Sequence, residues 1–350
     1  MAKKKTTLNL DSHPSFSAIR PANMRLANTI MHDSSPADLT IEDKTQTVNP
    51  ETLRKADEPA TQVNPPNPID MNSLYPSLVD SDFPSNSFIA TVVGSRRTGK
   101  SSVTESLLVN ELKDRFNSYF LFSPTLAGFD SIPNNYKFRN LDLLPNIIKK
   151  QQDIVKHNIS VTKRLTKKDL TKRQRGQIEK TYKESKICFI LDDMMGVGLL
   201  KNNKLLNRIA VNGRHICGSS DKSGKTDCSF FILSQSVVGI DPIIRRNSDL
   251  IISSRLTSKR DREQIVMENM VLESSRTGMT AAYDAYDQVT LNRPYSFISL
   301  LNHNADKSDY QKYVRSYTAN IKSFQDVPGV RLGGTDEDHA TEPKFFDFCS

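Results

Sequence analysis

The sequence has little that would tie it to a membrane, a disulfide framework or a zinc site. No apolar run approaches the roughly 18 residues of a membrane-spanning helix, and the start Met1-Ala-Lys-Lys-Lys5 has no apolar segment behind it. A soluble protein that bypasses a signal peptide is the expectation. The four cysteines, Cys188, Cys217, Cys228 and Cys349, show no paired spacing, so neither a zinc site nor a disulfide set can be read from them. Cys188 lies in an apolar run and reads as a small core residue. A reducing, intracellular setting is the default. His215 has no second histidine at metal-ligating spacing. Apolar residues make up 37% of the 350, a low share that predicts polar tails around one ordinary domain. Positive charge is in excess, with 48 Lys and Arg against 40 Asp and Glu, a modest pointer to a polyanionic partner.

Residues 1–82 are rich in Ser, Thr, Asn, Asp and Pro, with sparse, aperiodic apolar positions. Such a segment cannot bury enough surface to offset its ordering entropy and is expected to be largely disordered, with Met71 to Leu78 a candidate docking motif. Order is expected from 83 to 301. Phe88 to Val93, Ser118 to Phe122, Ile187 to Leu191, Phe230 to Leu233 and Asp249 to Ser253 read as short buried strands. Helical spacing follows in Val103 to Leu112, Leu144 to Val155 and Leu199 to Val211. Strands alternating with helices predict an α/β fold with a mainly parallel sheet covered on both faces. A basic, mostly helical insertion is expected over about 145–186, and 302–350 reads as a polar tail.

Chemistry concentrates in Gly94-Ser95-Arg96-Arg97-Thr98-Gly99-Lys100-Ser101, followed by Ser102. Gly94 and Gly99 permit backbone angles that let successive N–H groups turn inward around phosphates, and the following helix adds its N-terminal dipole. Lys100 would bridge the β- and γ-phosphates and the Ser101 hydroxyl would hold Mg²⁺. The strand before and the helix after supply the required context for ATP binding. Ser223-Gly-Lys-Thr226 resembles the end of such a loop, but precedes a strand and reads as an exposed loop.

Asp192-Asp193 closes the run Ile187 to Leu191. Acids at the C-terminal end of a buried strand face the ligand crevice of an α/β sheet, Asp192 placed to serve Mg²⁺ and Asp193 to orient or deprotonate water. The bland alternative is a helix N-cap. Gln235 ends the next strand, where it can touch both γ-phosphate and water. Arg214, Arg245 and Arg246, or in cis Arg96 and Arg97, are candidates to stabilise a transferring phosphoryl group. Surface arginine is the competing reading for each. Lys163, Arg164, Lys167, Lys168, Lys172, Arg173 and Arg175 form a positive run suited to phosphate backbones. It lacks interleaved aromatics, so base stacking is not suggested, and a merely solvated helical face is the alternative.

The order of these motifs, with Asn212-Gly-Arg-His215, Leu233-Ser-Gln-Ser236 and Ile244-Arg-Arg-Asn-Ser-Asp249, resembles the genome-packaging ATPases of large nucleocytoplasmic DNA viruses and related elements, members of the FtsK/HerA superfamily of P-loop motors. The resemblance covers about Phe88 to Arg255. It implies an ASCE/RecA-like P-loop fold, Asp193 as catalytic acid, Gln235 as sensor, and Arg214 as first choice for a finger supplied in trans, Arg245 or Arg246 second. It also implies a homo-oligomeric ring on double-stranded DNA, a capsid or portal-vertex partner, and a setting in host cytoplasm, viral factory or virion. Cys217 to Ser229 reads as an insertion relative to that family. A helicase-like or DNA-transfer ATPase of the same superfamily, or a slow nucleotide-dependent scaffold, are the alternatives.

Overall fold

The computed structural model describes residues 75–319 except 168, 195–202, 218–222, 273–274 and 305, and the side chains of 214–217. Contacts divide the chain into Met1–Asn64 and Pro65–Ser350, and every described residue belongs to the second unit. The expectations for residues 1–74, Lys168 and the tail beyond residue 319 lie outside the described residues.

In chain order the elements are β1 (Ile89–Val93), α1 (Lys100–Ser106), β2 (Ser118–Phe122), β3 (Lys137–Phe138), α2 (Leu144–Leu165), α3 (Lys172–Glu179), β4 (Ser185–Asp192), α4 (Lys204–Cys217), β5 (Thr226–Ser234), α5 (Pro242–Arg246), β6 (Leu250–Ser253), α6 (Lys259–Asn269), α7 (Arg276–Asn292), β7 (Ser296–Leu301), α8 (Tyr310–Tyr313) and β8 (Val314–Thr318). The eight strands form one sheet in the order β3-β2-β4-β5-β1-β6-β7-β8. Pairing is parallel from β3 to β6 and antiparallel for β7 and β8. Every residue of β1 and β5 is buried. Successive strand residues point to opposite faces, so both faces are covered. That is why these strands read as continuous apolar runs rather than alternating ones.

The parallel strands give the sheet two unlike edges. The C-terminal edge carries the loops after β1, β2, β4 and β5. Toward the N-terminal edge α2 packs Leu144, Ile147 and Ile148 into the core, and Gln151 donates to the Ser185 and Asp227 carbonyls (3.0 and 3.2 Å), where β4 and β5 begin. The rest of α2, about 20 Å of helix, therefore runs beyond this edge. Residues 181–183 return along it: His157 Nε2 lies 2.8 Å from the Thr181 carbonyl, Asn158 donates to the Lys183 carbonyl at 2.8 Å, and the Thr162 and Tyr182 hydroxyls are 2.9 Å apart. Thr171 caps α3 reciprocally with Gln174. The basic insertion is thus a helical hairpin.

Both expected domain limits are corrected. The ordered unit starts before residue 83: Tyr75, Leu78 and Phe83 are buried, and Leu78 N and Ser316 N bond to the carbonyls of Ser316 and Pro76. The candidate docking motif docks, in its described part, on its own domain. At the other end, residues 310–318 are not tail but α8 and the edge strand β8, whose burial alternates. Polar composition around Asn302 to Asp309 concealed a strand half open to solvent. The helix expected to end at Val211 continues to Cys217, so Arg214 and His215 lie within α4 rather than after it. Likewise β5 begins at Thr226, taking in the last residues expected as insertion, while Ser223 to Lys225 lie outside any helix or strand, with Gly224 at φ +69°. No described helix is long and apolar enough to cross a membrane.

Candidate active site

The loop between β1 and α1 is locked by its own sequence. A Cβ on Gly94 would meet Ser254 Oγ at 2.2 Å and Thr98 Oγ1 at 2.5 Å. Gly99 caps α1 at φ +89°, and a Cβ there would meet the Tyr295 ring at 2.6 Å. Both glycines are demanded sterically, Gly99 conformationally as well. Arg97 occupies the left-handed region too, at φ +66°, a strained state for a non-glycine residue. Thr98 Oγ1 donates to the Ser95 carbonyl at 2.8 Å and accepts from Ser254 Oγ at 2.9 Å. Ser95 Oγ lies 3.0 Å from Thr257 Oγ1 and accepts from Thr257 N. Two residues after β6 thus brace the loop, and single-residue motif reading gave no signal for them.

Lys100, only 9% exposed, donates from Nζ to the carbonyls of Gly94 (2.9 Å) and Ser95 (3.2 Å). Burial lowers its pKa, opposed by the charges of Asp192 and Asp193. Ser101 and Ser102, in the first turn of α1, are half-buried.

Strand pairing brings the acids to this loop. β5 lies between β1 and β4, with Val92 opposite Leu233 and Leu233 opposite Asp192. Asp192 ends β4 and accepts from Ser101 Oγ at 3.3 Å. Burial, then the charge of Asp193, push its pKa up to about 6 against the pull of Lys100 and Ser101. A hydroxyl and a carboxylate at this separation are hard oxygen donors suited to Mg²⁺ completed by phosphate and water. Asp193 turns out of the strand at φ +52°, and Gln235 Nε2 donates to both its carboxylate oxygens at 2.9 Å. Asp192 ends a strand with its side chain on Ser101, and the helix that the N-cap alternative would need after Met194 lies outside the described residues.

Gln235 is held by a braced loop. Asp261 accepts from Ser236 Oγ (2.7 Å) and Val238 N (3.1 Å). Arg245 donates to the Val237 carbonyl (2.9 Å) and to Glu268 (3.4 Å). Arg245 is 9% exposed and its bonds stay within its own chain, so in this structure it braces the Gln235 loop. Arg246 is exposed and lines a cavity of about 410 Å³ at the N-terminal edge with Phe88, Ile89, Cys228 and Asp249, away from its own nucleotide loop. The backbone of Arg214 is in the last turns of α4, and Gly213 beside it lines the same cavity. Lys163, Arg164, Lys167, Lys172, Arg173 and Arg175 lie on the hairpin beyond that edge, none of them buried.

Sequence reading also missed Glu105. Buried on α1, it accepts from the Ser131 N–H (2.8 Å) and hydroxyl (2.6 Å), clamping the β2–β3 loop beside Ser101. Its only signal was a carboxylate among the core positions Val103, Leu107 and Leu108.

A strand, a glycine-bounded loop and a helix, with the hydroxyl after Lys100 on a strand-end aspartate, define an α/β P-loop NTPase. No protein-family model and no curated protein matches the sequence. Among solved structures the chain is similar to the genome-packaging NTPase B204 of Sulfolobus turreted icosahedral virus 2 in complex with ATP-gammaS, at 15% identity over 67% of this chain and 98% of that one, TM-score 0.37. It is also similar to the pCW3 conjugation coupling protein TcpA with ATPgS, at 13% over 76% and 66%, TM-score 0.42. A third is EssC (ATPases 2 and 3) from Geobacillus thermodenitrificans, at 17% over 52% and 34%, TM-score 0.33.

Proposed function

We propose that this chain is an ATP-hydrolysing motor that drives double-stranded viral DNA into a preformed capsid. The observation that carries the reading is the constellation at the C-terminal edge: Lys100 inside the loop, Ser101 on Asp192 at 3.3 Å, and Asp193 held by Gln235 at 2.9 Å. The loop N–H groups and Lys100 bind and orient the phosphates. Ser101 and Asp192 would hold Mg²⁺, which when bound neutralises charge on the β- and γ-oxygens. Asp193 accepts the proton of the attacking water, and Gln235, within reach of both carboxylate oxygens, orients that water.

Support for DNA as the load comes from the exposed basic hairpin, which matches a phosphate backbone and reads no sequence, and from the motif order described above. An arginine supplied by a neighbouring subunit completes the site, from Arg214 or Arg246, both toward the N-terminal edge. Such a finger requires an oligomer, and a homo-oligomeric ring is the form that the motif order implies. A capsid or portal-vertex protein is the docking partner, in host cytoplasm or viral factory.

Steady-state ATP turnover of the native chain, Lys100→Ala and Asp193→Asn tests the chemistry. Near-complete loss in both variants is expected. Native-like turnover in Asp193→Asn would remove that residue from catalysis.

A further inference from the structure

The motif reading accounts for the phosphates of a nucleotide and leaves its nucleoside without a place. Beside the loop lies a second cavity of about 470 Å³, lined by Arg97 and Thr98 on one side and by Arg255, Leu291, Arg293 and Tyr295 on the other. This is within the range of small-molecule sites, roughly 300–1,000 Å³. Its walls hold three guanidinium groups and an aromatic ring, and no carboxylate among the described lining residues.

Tyr295 is the notable member. It is 43% exposed, unlike most aromatics of this domain, and sits at φ +61°, a strained conformation for a bulky residue. The turn that carries it is fixed on both sides: Ser296 N donates to the Arg293 carbonyl and Ala319 N to the Tyr295 carbonyl, each at 3.2 Å. The fixed turn lays the ring edge on Gly99, where the phosphate loop becomes α1. An exposed, strained aromatic held against the loop is costly for the fold and useful as a stacking platform.

Resting on the nucleotide-binding reading above, we infer that this cavity is the nucleoside subsite: the base stacks on Tyr295, and Arg97, Arg255 and Arg293 flank the ribose and α-phosphate. Stacking tolerates any base, since every base has a π-face. Arginine adds a cation–π contact on the open side.

The test separates the nucleoside from the phosphates. Binding of ATP and of inorganic tripolyphosphate, each with Mg²⁺, is measured by calorimetry on the full chain and on Tyr295→Ala, Tyr295→Phe and Arg293→Ala. The expected result for Tyr295→Ala is about tenfold weaker ATP binding, a typical loss for one stacked base, with tripolyphosphate affinity unchanged. Tyr295→Phe keeps native affinity for both ligands, and Arg293→Ala loses about threefold for ATP. An equal fall for both ligands in Tyr295→Ala would mean that the ring only shapes the Gly99 turn, and would overturn the subsite. So would unchanged ATP affinity in both alanine variants. Failure of the native chain to bind either ligand would instead overturn the nucleotide reading itself, and the subsite with it.

Discussion

The two edges of the sheet are built on opposite terms. At the C-terminal edge stand all five described non-glycine residues with left-handed φ: Arg97, Leu126, Phe129, Asp193 and Tyr295. Each such residue costs about 1–3 kcal/mol, so the edge concentrates strain around Lys100, Ser101 and Asp192. The N-terminal edge has no such residue among those described and is instead stapled by satisfied polar groups. Asp249 accepts from Ile89 N at 3.0 Å, and Asp227 accepts from Cys228 N and Ser229 Oγ and lies 3.9 Å from Arg115. Gln151 ties α2 to the same strand starts. One edge spends stability to hold reactive groups in place. The other anchors a basic hairpin at a distance from them. That division suits a machine whose chemistry and load are handled at different places.

The sharpest way to break the comparison is to disable one edge and read the other. Lys100→Ala or Asp193→Asn should lower ATP turnover by about 10³-fold, in the range for losing a group that acts on transition-state charge, while affinity for double-stranded DNA in a filter assay stays native. Gln235→Ala should cost about 10²-fold in turnover with ATP affinity retained, because its side chain bonds Asp193 and not the loop. Neutralising Lys163, Arg164, Lys172, Arg173 and Arg175 together should do the converse. DNA binding weakens, and the slope of log affinity against log salt falls by about 0.9 for each phosphate no longer neutralised, while turnover without DNA is unchanged. An unchanged slope would reduce the hairpin to a solvated face. The smallest effect separates two neighbouring arginines. Arg245→Ala should lower unfolding free energy in urea by about 1–3 kcal/mol, whereas Arg246→Ala leaves it native. If Arg246 is the finger, its variant loses turnover only in the assembled ring.

Much of this was legible before the structure because each signal was local. The glycine-bounded loop, the buried strands around it and the acids after Leu191 are contiguous in sequence, and continuous apolar runs announce strands covered on both faces. What stayed hidden depends on residues far apart. Ser254, Thr257 and Tyr295 brace or flank the loop from about 150 to 200 positions away, through strand pairing that no local pattern specifies. β8 and the Tyr75 to Leu78 segment were hidden for a related reason: each is half-buried, and its few apolar residues matter only against the other. Arg245 and Arg246 show the limit most plainly. Adjacent in sequence and alike in chemistry, they fall on different sides of a short helix, one buried on the Gln235 loop and the other exposed.

The central claim is that chemistry at one edge is coupled to DNA held at the other. It is tested most directly by ATP turnover of the native chain against double-stranded DNA concentration, beside the charge-neutralised hairpin variant. The account predicts that DNA accelerates native turnover and that the variant keeps its basal rate but loses the acceleration. Native turnover indifferent to DNA would contradict it.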